Sequence, residues 1–188
     1  PEPVEANASV DTLSDGGVAT AVVAKKKDPA MIPGTVTEIR SPLHGMVVPL
    51  EEVPDPGFAS GAVGKGVAID PAEGTVFAPE DGKVTMAFKT GHAIGLTTDS
   101  GVELLIHIGI DTVNMEGKGF HVHVAKGDTV TAGTPLISFD IDAIIAAGYS
   151  TITPVLVTNH RRFAQIDSDA AHEVVAGDHL LTVSAKPE

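Results

Sequence analysis

From Thr35 onward, no apolar pattern runs longer than a short strand before glycine, proline or aspartate interrupts it. The runs TVTEIRSP, GMVVPL, GVAID, TVFAPE, GKVTMAF, HAIGLTT, VELLIHIGI, HVHV, DTVTAG, TPLISFD, STITPVLVT and HLLTVSA follow one another in this way. With 20 Gly and 13 Pro in the chain, long helices have nowhere to propagate, and many short strands do. The pattern predicts an all-β fold, an antiparallel β-sandwich or barrel-sandwich hybrid with Greek-key-like hairpins and one or two short helices. DIDAIIAAG, Asp140 to Gly148, is the clearest helical stretch, with an acidic start and a glycine stop. The segment LEEVPDPGFASGAVGKG, Leu50 to Gly66, is long, irregular and glycine-rich. Such loops in compact domains often carry function.

Residues 1–34, rich in Ala, Pro, Gly, Ser and charge, show neither a helical nor a strand period and read as a flexible N-terminal tail or interdomain linker. Residues 35–188 are then one domain. The 188 residues, 43% hydrophobic and only 4% aromatic, suffice for a core of Val, Ile, Leu and Ala. A net charge of -13 excludes a nucleic-acid surface, which needs clustered Lys and Arg, but would attract a basic protein partner. The absence of cysteine suits a reducing cytosol. GVATAVVA is too short to span a bilayer, and no signal peptide is evident. The chain does not begin with Met, as expected of a processed protein or a piece of a longer one.

Two segments echo one another. APEDGKV, Ala78 to Val84, and KGDTVTAGTPLISF, Lys126 to Phe139, both read as barrel-sandwich hairpins in which two small β-layers interlock. Lipoyl and biotinyl carriers and several hydrolases share that phrasing, so it bears on fold and not on function.

The chemistry concentrates in TGHAIGLTTDSGVELLIHIGID, Thr90 to Asp111. If Asp99 and Ser100 form a two-residue loop, His92 faces His107 across a hairpin, Leu96 faces Glu103, and Thr98 faces Gly101. Opposed Cβ atoms lie roughly 4.5–5.5 Å apart, so both imidazoles reach one small ligand. A loop one residue longer offsets the pair but keeps the rings near each other. Each protonated ring raises the cost of protonating the other. A neutral imidazole with a free Nε2 is a competent nucleophile toward phosphorus. The carbonyl of Gly109 could accept from Nδ1 of His107, His92 could donate to a phosphoryl oxygen, and Thr90 lies on the same strand face as His92. Asp111 adds a polar group beyond His107. The constellation fits phosphohistidine chemistry.

The order of SPLHGMVVPLEEVPD, VGKGVAIDP, APEDGKV, TGHAIGL, SGVELLIHIGIDTV, GKGF, KGDTVTAGTPL and TITPVLVTN resembles the glucose-type enzyme IIA domains of the bacterial phosphoenolpyruvate:sugar phosphotransferase system, over about residues 36 to 160. The resemblance implies an antiparallel β-sandwich. It also implies a phosphotransferase component whose histidine takes phosphate from the carrier protein HPr and passes it to the IIB domain of a glucose-family sugar permease. On the matching positions His107 is the acceptor, phosphorylated on Nε2. His92 stabilises the phosphoryl group, and Thr90 orients His92. The implied docking face comprises Asp55, Phe58, Val63, Phe88, Leu105, Asp111 and Val113. No metal or organic cofactor is implied. The place of action is the cytoplasm, with membrane contact only through the permease, whether the domain is joined to it through residues 1–34 or is a free-standing protein with an extended tail.

Two other classes compete. HIGID has HxxxD spacing and HVHV supplies His121 and His123 as two ligands on one strand face, which suggests a zinc-dependent barrel-sandwich hydrolase of the LytM peptidase type. In such peptidases, however, the H…D element precedes the glycine-rich hairpin and HxH ends the domain, whereas here APEDGKV comes first. A solvent-facing edge strand accounts better for His121 and His123. A swinging-arm carrier would use Lys83 in DGKVTM, but Gly82 and Val84 flank it instead of the expected motif. His44, His160, His172 and His179 have no paired spacing and read as surface residues. KKKD, Lys25 to Asp28, reads as a solvated charge run.

Overall fold

Every run read as a strand forms one in the computed structural model, which describes residues 28–169 and 171–188. The strands are β1 (Val36–Arg40), β2 (Gly45–Pro49), β3 (Lys65–Pro71), β4 (Thr75–Phe77), β5 (Gly82–Ala87), β6 (Ala93–Thr98) and β7 (Glu103–His107). They continue with β8 (Phe120–Val122), β9 (Thr129–Val130), β10 (Pro135–Phe139), β11 (Thr153–Val157), β12 (Phe163–Ser168), β13 (Glu173–Val174) and β14 (His179–Ala185). The large sheet runs β13-β2-β3-β11-β7-β6-β5-β9, and two three-stranded sheets, β1-β14-β12 and β4-β10-β8, complete the fold. All pairings between the described strands are antiparallel. The fold is the expected β-sandwich, with two short α-helices, Pro56–Ala59 and Ile141–Ala146, among the described residues.

β11 shows why the large sheet is stable. All five of its residues are buried, with Val155, Leu156 and Val157 at 0% exposure between β3 and β7. Each such side chain contributes roughly 1.5–3 kcal/mol through burial. The main core joins Ile39, Ile69, Ile94, Ile106, Leu136 and Leu181 across the layers. A smaller cluster, Leu50, Val53, Phe58, Ala68, Ile110 and Leu156, lies under the long loop that precedes β3.

The echoed segments interlock. Ala78 N–H donates to Thr134 O and Gly133 N–H to Ala78 O, both at 2.8 Å, while Val84 exchanges 2.8 Å bonds with Asp128 and Gly127. Asp140 caps the helix Ile141–Ala146 by accepting from Ala143 N–H at 3.1 Å, and Gly148 follows it at φ 88°.

Two expectations are corrected here. The β6–β7 register sums to 200 and not 199: Ala93 faces His107, Leu96 faces Leu104 and Thr97 faces Glu103. The loop therefore holds three residues, Asp99 to Gly101, closed by Gly101 N–H to Thr98 O and Thr98 N–H to Val102 O at 2.9 Å each. Gly101 adopts φ 97°, the left-handed residue that a three-residue hairpin loop uses. The second correction concerns residues 28–34. Ala30 is fully buried, its N–H donates to Ser100 O at 2.9 Å, and Pro29–Met31 form a 3₁₀ turn packed against the domain. The rest of the expected tail, residues 1–27, lies outside the described residues.

Candidate functional site

The two histidines meet despite the register offset. His107 is the last residue of β7, whereas His92 precedes β6, just after Gly91 at φ 69°. Their ring centroids are 5.2 Å apart and nearly perpendicular, at 76°. The β7–β11 ladder helps to expose this end. It stops at Ile106–Val155, because the next residue of β11 is Pro154, which has no N–H to donate. The chain beyond His107 peels away from β11 and turns at Gly109.

That turn fixes the chemistry of His107. Its Nδ1 lies 2.8 Å from Gly109 O. A carbonyl only accepts, so the proton sits on Nδ1 and the lone pair on Nε2. Gly109 needs φ 72°, and a Cβ there would lie 2.6 Å from Thr112 Cγ2 and 2.7 Å from Ser150 O, so only glycine fits. Thr112, fully buried, ties the turn down by donating from its hydroxyl to Ile108 O. Ile110 N–H continues the anchorage to Ser150 O at 3.0 Å.

His92 is only 7% exposed. Its Nδ1 lies 2.6 Å from Thr90 Oγ1; with the hydroxyl donating, the ring proton sits on Nε2. Burial first, and the facing His107 second, lower its pKa to about 4. The pKa of His107 is also lowered, chiefly by burial, against the opposing pull of the Gly109 hydrogen bond and of Asp55 and Asp111. Both rings are therefore neutral near pH 7. Among the described residues neither Nε2 has a hydrogen-bond partner.

Aromatic rings flank the pair. Phe88 stacks on His92 at 4.9 Å and 28°, and Phe58 lies 4.9 Å from His107 at 56°. Phe58 is positioned by Asp55, whose Oδ1 accepts from Gly57 N–H at 2.8 Å and Phe58 N–H at 3.4 Å at the start of the helix Pro56–Ala59. Asp111 is exposed and held at φ 63°, a conformation that costs a non-glycine residue about 1–2 kcal/mol. Val63, Phe88 and Val113 are exposed apolar residues. Leu105 differs: it is half-buried and packs against the small cluster that holds Phe58. Met86, which sequence reasoning did not select, is 38% exposed and sits across from Gly95, on the row that also carries Leu105. The rest of the described surface histidines stand apart. His121 and His123 pair with each other at 4.8 Å, and His123 Nε2 is 2.7 Å from Ser138 Oγ.

Comparison with known proteins identifies this sandwich as a component of the sugar phosphotransferase machinery. Residues 37–163 match the family model described as phosphoenolpyruvate-dependent sugar phosphotransferase system, EIIA 1. A glucose-specific EIIA component of Halalkalibacterium halodurans is 46% identical over 149 residues, covering 79% of this chain and 86% of the relative. The beta-glucoside-specific EIIBCA component of the same organism is 50% identical over 151 residues, covering 80% of this chain and 24% of the relative. The chain thus spans about a quarter of the length of that multidomain relative. The solved glucose permease IIA from Mycoplasma capricolum superposes with a TM-score of 0.71 at 33% identity, covering 79% of this chain and 96% of that one. The chain belongs to the EIIA 1 family and is a glucose-family EIIA phosphocarrier component. This membership replaces the LytM-type hydrolase as a reading of HIGID and HVHV.

Proposed function

We propose that His107 takes the phosphoryl group on Nε2 from phospho-HPr and passes it to the IIB domain of a sugar permease. The observation that carries this is the Nδ1–Gly109 hydrogen bond, which leaves a neutral ring with its lone pair on Nε2 beside Phe58 and His92. As the Nε2–P bond forms, the bond from phosphorus to the donor breaks in line. The Nδ1 proton stays on the ring, and the positive charge that develops there is met by Asp55 and Asp111. His92, with Thr90 donating to its Nδ1, presents its Nε2 proton to a phosphoryl oxygen. Thr90 is thus a positioning residue.

The exposed rim of Val63, Phe88 and Val113, with Asp55 and Asp111 beside it, suits brief docking of partners that bring arginines. Leu105 supports that face from beneath. The reaction requires no metal or organic cofactor. No helix of the described residues is long and apolar enough to cross a membrane, and relatives of this domain occur both as separate EIIA components and within EIIBCA proteins. We place the domain in the cytoplasm, at the inner face of the membrane when the segment before residue 28 joins it to a permease.

The test is transfer from phosphoenolpyruvate through enzyme I and HPr, followed by phosphorus NMR. Wild type should gain an acid-labile, base-stable phosphoryl group on imidazole nitrogen, and His107→Ala should gain none. His92→Gln should accept phosphate but pass it on poorly. Phosphorylation of His107→Ala would sink the assignment of the acceptor, and normal onward transfer by His92→Gln would remove His92 from the mechanism.

A further inference from the structure

A cavity of about 680 Å³ lies behind the loop that carries Phe58 and opens between Ser60, Lys65, His160, Arg161 and Lys186. Its lining contains no carboxylate, although the chain has 25 Asp and Glu against 12 Lys and Arg. Among the described residues, Lys65, Arg161 and Lys186 make no ion pair or side-chain hydrogen bond. Positive charge gathered without a partner, in a strongly acidic protein, repels itself. His160 registers this: burial first, then Arg161 and Lys65, lower its pKa.

The cluster is held by a rigid frame. Lys65 opens β3, opposite Val157 of β11. The 3₁₀ turn His160–Arg162 is fixed by Asn159, whose Oδ1 accepts from Glu103 N–H at 3.0 Å and whose Nδ2 donates to Gly101 O at 2.9 Å. Lys186 follows Ala185, which pairs with Phe163. Phe163, 4% exposed, gives the cavity an apolar floor. Gln165 uses its amide N–H on Asp167 at 2.8 Å, which leaves its carbonyl oxygen to accept from a hydroxyl.

We propose that this cavity binds a phosphate monoester carried on a small, hydroxyl-bearing body, with the phosphate between Lys65, Arg161 and Lys186. The volume falls within the range of small-molecule sites, about 300–1,000 Å³. Arg and Lys around one dianion make charge-assisted hydrogen bonds about twice as strong as neutral ones. The apolar floor and the Gln165 acceptor suit the body of such a ligand better than they suit a bare ion. Ser60, Gly61 and Ala62 line the cavity and lie one turn beyond Phe58, so occupancy couples directly to the wall of the His107 site.

The experiment is a proton–nitrogen NMR titration of the whole chain with glucose 6-phosphate, glucose, inorganic phosphate and phosphatidylglycerol vesicles in parallel. The expected result is saturable binding of glucose 6-phosphate at least about tenfold tighter than inorganic phosphate, with shifts at residues 60–65 and 160–166. Glucose should not bind. On binding, the His160 pKa should rise, because an anion offsets Lys65, Arg161 and Lys186. Lys65→Gln and Arg161→Gln should each weaken binding at least about tenfold, while phosphorylation of His107 by HPr in the absence of ligand stays unchanged. Equal, weak, salt-sensitive shifts with every anion would overturn the proposal. So would binding to vesicles alone, which would make the cluster a lipid contact.

Discussion

Protonation of His92 offers a direct measure of how far the fold has desolvated the pair. Its pKa falls from the ordinary 6.5 to about 4. Below pH 6.5 the unfolded chain takes up a proton that the folded chain refuses, so stability must fall as the pH falls. The loss begins near pH 6.5, grows to about 3 kcal/mol near pH 4 and then levels off, at about 1.4 kcal/mol per tenfold difference in proton affinity. At pH 5 it amounts to about 2 kcal/mol. Above pH 7.5 it vanishes. Urea unfolding at pH 7.5 and pH 5 for wild type and His92→Gln isolates the contribution, because the glutamine does not titrate. The variant should lose about 2 kcal/mol less than wild type between the two conditions. His107, also lowered, acts in the same direction in both proteins. An identical pH dependence in the two proteins, or an NMR titration of His92 near 6.5, would refute the reasoning.

Gly109→Ala should cost at least about 1–2 kcal/mol for the left-handed backbone alone and slow phosphoryl acceptance as the Nδ1 acceptor shifts, measured by urea unfolding and the HPr assay. Phe88→Ala should leave the unfolding free energy within about 1 kcal/mol of wild type, since Phe88 is 40% exposed, yet raise KM for the phosphodonor severalfold; an unchanged KM would take Phe88 off the docking face. Asn159→Ala removes two hydrogen bonds that pin the β6–β7 loop and should cost about 1–3 kcal/mol with no change in the rate of phosphorylation of His107.

The histidine site was legible because its determinants are local. His107 and Gly109 are two residues apart, as are Thr90 and His92, and a single hairpin joins the halves. The hairpin register was not legible, because TTDSG accommodates a two- or a three-residue loop and the choice depends on Gly101 taking φ 97°. Met86 was hidden by a bulge. The register shifts between Val84 and Met86, so strict alternation would bury Met86 with Val84, while the extra residue, Thr85, turns it outward. β12 escaped notice because only Phe163 of its six residues is buried, which leaves no apolar rhythm to read. The cationic cavity draws Lys65, Arg161 and Lys186 from three distant parts of the chain, a gathering that no spacing rule announces.

The bond from Ala30 to Ser100 settles where the polypeptide enters the sandwich: at the closed end of the β6–β7 hairpin, roughly 20 Å from the histidines at the rise of an extended strand. A leash attached there would hold the molecule by its heel. If a permease were joined to the domain at that end, the reactive face would stay clear for its partners, and a longer or shorter connection would change how often they meet without altering the chemistry when they do.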